Sequence, residues 1–167
     1  MRDQRVVAVH RGGLLTKEDH MVLMHYARMC ALHVLELASL QDDELLVHAL
    51  KVAERWELGN ASTGEAIASS RLVHAYAKNQ DDVLVGLVAR AIGQAVATAH
   101  MADHCLGPSW YARKVVRLLG TSVEEEDAYQ QRELEKLPSH LVSLVKFLQN
   151  QKHMFERTSM KEYNLKQ

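Results

Sequence analysis

Ten histidines in 167 residues make imidazole the first place to look for chemistry near neutral pH, since it is the side chain whose ordinary pKa lies there. His100 and His104 are four residues apart, so on a helix they share one face, and Gly86, Gly93 and Ala97 continue the same stripe. Two imidazoles at that spacing can ligate one metal ion, as in helices carrying H-E-x-x-H. Here, however, Met101, Ala102 and Asp103 lie between them, with no Glu following the first His. The small residues point elsewhere: they let a neighbouring backbone approach closely, making the stripe a tight helix crossing with both rings buried and hydrogen-bonded. His74 and His33 sit on two earlier helical stretches. Should His33, His74, His100 and His104 meet, they would form a Zn or Fe site or a set of general bases; if not, each is a half-buried spacer.

Other reactive patterns are sparse. There is no G-x-S-x-G, no Gly-rich phosphate loop and no C-x-x-C. The acidic run Glu124, Glu125, Glu126 and Asp127 reads as a solvated helix start, where the macrodipole favours carboxylates, with a landing patch for a basic partner as the alternative. Trp56 and Trp110 read as core anchors, or as interface residues, for which Trp is enriched. Cys30 and Cys105 stand inside apolar helical patterns, which suits two buried thiols in a reducing compartment better than a disulfide.

The elements that must carry these residues are helical. Val22, Tyr26, Met29, Cys30, His33 and Leu37 recur every three or four residues, predicting a helix over 17–39 capped by Thr16. A second helix follows Asp42 and Asp43 and stops at Gly59. Ser62 and Glu65 have capping-box spacing and open a third over 63–78. Residues 82–106 form the longest pattern, expected to be one helix of about seven turns, ending before Gly107 and Pro108. Three more helices follow, closed by Gly120, broken by Pro138 and fading into a tail.

The expectation is an all-α single domain of about seven helices, a helical bundle or a HEAT-like stack of helix pairs. It comprises an N-terminal extension over 1–15, the domain over 16–150, and a helix end and tail over 151–167. Apolar residues at 47% and charged ones at 25% exclude a disordered chain. A net charge of -1, spread evenly, disfavours nucleic acid as a partner. The N-terminus lacks a long apolar run and no stretch reaches the length of a membrane helix, so a cytoplasmic protein with no membrane partner is expected.

Several residues carry a family resemblance. Trp56 and Gly59 form a W-x-x-G element, and His74 lies in an Ala-rich helix, preceded by Val73 where Ala would be usual. Ala89, Arg90, Ala91, Gly93, Ala95, Ala97, Thr98, Ala99, His100 and His104 fit a longer element, and Tyr111-Ala112 follows it; Cys105 replaces a usual Ala. Over about residues 28–118 the chain resembles the Imm-5-like family of bacterial immunity proteins. The resemblance implies an all-α cytoplasmic protein that binds and neutralises a cognate protein toxin, without catalysis and without a cofactor; a homo-oligomer is compatible with it. The alternative is a small helical metal-binding protein or metalloenzyme using His100 and His104 with His74 or His33.

Overall fold

The computed structural model describes residues 2–152. Seven α-helices occupy them: α1 Lys17–Leu37, α2 Glu44–Glu57, α3 Thr63–Lys78, α4 Val83–Ala97, α5 Gly107–Leu119, α6 Val123–Glu135 and α7 Ser139–Gln151. Five begin at an oxygen that accepts from an otherwise orphaned first-turn N–H: Thr16 from Asp19, Asp43 from Leu46, Ser62 from Glu65, Asp82 from Leu84 and Ser122 from Glu125. Gly59 and Gly120 end α2 and α5 at φ 78° and 70°, where a side chain would be strained.

The bundle is organised around α4. Val88, Ala89, Ala91, Ile92, Gly93, Ala95, Val96 and Ala97 are all buried on it. A helix apolar on every side belongs in a core rather than on one. It packs against α1, α2, α3 and α5. In a HEAT-like stack each helix pair would touch only its neighbours, so the architecture is a bundle about one helix. α1 supplies the other large share of the core through Leu23, Met24, Tyr26, Ala27, Cys30, Ala31, Val34 and Leu35. Both cysteines are fully buried, and burial pushes the Cys105 thiol up to about 12 and the Cys30 thiol higher still. Trp56 and Trp110, expected inside, are half-buried and pack against the core from its edge.

The single helix expected over 82–106 is two pieces. α4 ends at Ala97, the Thr98 hydroxyl donates back to the Gln94 carbonyl at 3.2 Å, and Met101 is extended at φ -144°, ψ 102°. A 3-10 segment, Ala102–Leu106, then leads into α5. It buries Ala102, Cys105 and Leu106, which a straight continuation of α4 would have carried away from α1. Packing outweighed local propensity, because no Gly or Pro marks the break.

The N-terminal extension is a packed strap. Two 3-10 turns, Gln4–Val6 and Val9–Arg11, place Val6 at 2% and Leu15 at 3% exposure. Leu15 N–H donates to Val7 O and Val9 N–H to Leu15 O. Gly13 closes this loop: a Cβ there would lie 1.9 Å from the Val7 carbonyl oxygen. Arg2 ties the strap down through its guanidinium, 2.7 Å from Asp103. The tail expected at 151–167 lies outside the described residues from 153 onward. No described helix is long and apolar enough to cross a membrane.

Candidate functional site

The stripe of small residues on α4 is a helix crossing. A Cβ on Gly93 would come within 2.7 Å of the His74 ring, so glycine is what lets α3 lie this close to α4. Ser70 Oγ on α3 donates to the Gly93 carbonyl at 3.1 Å, pinning the crossing one turn from His74. Gly107 plays the same part against Gln94, whose side-chain carbons would lie 2.6 Å from a Cβ there. Gln94 Oε1 in turn accepts from His104 Nδ1 at 2.7 Å.

His100 and His104 remain neighbours despite the break in the helix, with ring centroids 5.4 Å apart. Both are half-buried. The expectation of two buried, hydrogen-bonded rings holds for the His104 bond alone, since His100 Nδ1 has no partner among the described residues. Burial lowers the pKa of each, and His100 and His74 lower that of His104 further. His74 is also lowered, by burial first and then by Arg90. These three rings are therefore held neutral near pH 7. Among the described residues no three His, Cys, Asp or Glu side chains are placed to hold one metal ion. Tyr111 lies nearby on α5; burial raises its phenol, against the pull of the Arg90 charge.

His33 does not join this group. It stacks on Tyr129 of α6 with centroids 3.7 Å apart and faces Glu126, Nδ1 to Oε2 2.9 Å, without the alignment of a hydrogen bond. The acidic run is correspondingly not a uniform solvated face. Glu126 is 2% exposed and accepts from Gln130 Nε2 at 2.8 Å. Asp127 takes both of its oxygens to Arg113 Nη1, at 2.8 and 3.0 Å. Glu124 and Glu125 are exposed, and the Asp127 side chain remains partly so beside Arg113. The i, i+3 and i+4 offsets that bring Glu126 and Gln130 inward are those of any helix with one buried side. A run of four acids hides which of them that side claims.

The other element of the motif opens onto a cavity. Trp56 Nε1 donates to Thr63 Oγ1 at 3.1 Å, bracing the end of α2 against the start of α3. The His20 ring meets the indole edge-on, with centroids 4.9 Å apart. His20 Nε2 lies 2.5 Å from the Thr98 carbonyl, which can only accept, so this nitrogen carries the proton. Trp56, Gly59, His20 and His100 line a cavity of about 650 Å³ beneath the strap, together with Arg2 and Arg11. Burial lowers the His20 pKa, opposed by the Thr98 carbonyl and reinforced by His10, Arg2 and Arg11. Arg2, His10, Arg11, Lys17 and His20 have no place in the spacing patterns of the chain. They come from two segments, the strap and the start of α1, which the fold brings together at the end of α4.

Fold and site together define a small all-α bundle in which the motif residues Gly93 and His74 serve a close crossing, and Trp56, Gly59 and His100 surround a cleft. Residues 13–140 match the family described as Imm-5 like putative immunity protein, and the chain belongs to that family. The match is wider than the stretch 28–118 and takes in the acidic run and the start of α7. No curated protein and no solved structure matches the chain.

Proposed function

We propose that this protein neutralises a cognate toxin in the bacterial cytoplasm by binding it, with no catalysis and no cofactor of its own. The observation that carries this reading is the family match, which spans every helix through α6 and the opening of α7. The rigid, buried α4 with its close α3 crossing supports it, because a preorganised scaffold lowers the entropic cost of association. A standard interface takes about 800 Å² from each partner, roughly a tenth of the 9259 Å² this chain exposes. Glu124 and Glu125 are the members of the acidic run left to meet a basic toxin surface, and their charge speeds encounter more than it deepens affinity.

The test is co-expression with the product of a toxin-like gene adjacent to this one. Growth rescue together with a stoichiometric complex on gel filtration is the expected result. Undiminished killing, with no complex at micromolar concentration, would rule the reading out.

A further inference from the structure

We propose that the cleft under the N-terminal strap binds a small organic anion, a phosphate group carried on a flat apolar body. This goes beyond toxin neutralisation and does not depend on it.

The volume, about 650 Å³, lies within the range of small-molecule sites. The charges around it are one-sided. Arg2, Arg11 and Lys17 line the cleft, and no Asp or Glu does among the described residues. Arg2 spends one nitrogen on Asp103 at 2.7 Å, and its Nε has no hydrogen-bond partner among the described residues. Arg11 reaches only the His100 carbonyl, at 3.4 Å, and Lys17 makes no ion pair among the described residues. Arg11 and Lys17 are exposed, and no carboxylate among the described residues pairs with either, so they are the groups of the lining with charge to offer an acceptor supplied from outside.

Two further features narrow the ligand. Ser62 and Thr63, at the start of the 16-residue helix α3, belong to the lining, so the positive end of a helix borders the same space. Several cations and a helix start suit the compact, multiply charged oxygens of phosphate. Trp56 provides a flat apolar wall, on which a planar ring system packs. Near-neutral net charge favours one small molecule over a polymer backbone.

The experiment uses the full chain with Trp110→Phe, so that Trp56 is its one tryptophan. Adenosine monophosphate, adenosine and inorganic phosphate are titrated at constant ionic strength while indole emission is followed, and calorimetry on the unaltered chain repeats the series. Saturable binding of the nucleotide with a Kd below about 1 mM, and none of adenosine, is expected. Arg11→Gln and Lys17→Gln each weaken it about tenfold while leaving the thermal midpoint in place. Absence of saturation, equal response to added chloride, or undiminished binding by both variants would overturn the assignment.

Discussion

Two sets of histidines in this bundle are held in opposite ways. In one, each imidazole meets a carboxylate: His25 and Glu57 are 2.6 Å apart, His33 and Glu126 2.9 Å, His140 and Asp19 2.9 Å. In the other, around the end of α4, His20, His74, His100 and His104 are pressed against apolar surface and arginines, and each is held below its ordinary pKa. The first set closes its charges within the fold. The second leaves cations and neutral rings with unmet bonding capacity, which is where an external ligand has something to gain.

The contrast breaks most sharply at Glu126. If its carboxylate is part of the fold, Glu126→Ala leaves Gln130 Nε2 its bond to the Ser109 carbonyl but removes its second acceptor, takes the anion from beside half-buried His33, and costs about 1–3 kcal/mol. Glu126→Gln keeps an acceptor for Gln130 and recovers much of the loss. Urea unfolding measures both; an alanine variant as stable as the parent would mean that α6 tolerates an open site there and the acid is not structural.

That burial was not legible in the sequence, and the reason is instructive. α3 is legible to its end residues because each boundary has a local cause: Ser62 caps it, and the Asn-Gln-Asp-Asp turn ends it. Gly59 and Gly120 likewise announce their turns. Glu126 has the same neighbours in sequence as Glu124 and Glu125, and only the arrival of α1 distinguishes it. The end of α4 failed for the same reason, since what bends the chain at Thr98 to Met101 is the gain from burying Cys105 and Leu106. The Gly93 stripe was readable as a crossing, but its partner, His74, was not. The cleft draws on the strap, α1, α2, α3 and the α4 turn, and no periodicity links five separate segments.

The other set is probed by pH. A histidine whose folded pKa is lowered binds fewer protons in the native state than in the unfolded chain. Its contribution is present above the unfolded value, near 6.5, and is lost as pH falls from there through the folded pKa. Four such groups predict a denaturation midpoint that declines as pH falls below about 6.5. Replacing His20 and His100 together by Gln flattens that decline. A profile flat over this window in the parent protein would show that the rings around α4 are as free to protonate as in the unfolded chain.

The smallest effect falls on the exposed acids, and it separates structural from interacting charge within a single run. Glu124 and Glu125 are solvated, and the Glu124 carboxyl is lowered chiefly by its own backbone N–H and the Ser122 hydroxyl. Changing both to Gln keeps Ser122 as the cap of α6 and leaves the urea midpoint close to that of the parent. Two positions away, the same chemical change at Glu126 is felt in the core. If the proposed toxin contact uses this edge, the double variant slows association, most at low salt, while the dissociation rate stays within about twofold. Stopped-flow binding at two ionic strengths reads this directly. An association rate that ignores both the substitution and the salt places the toxin on another face of the bundle, with Glu124 and Glu125 doing no more than favouring the start of α6.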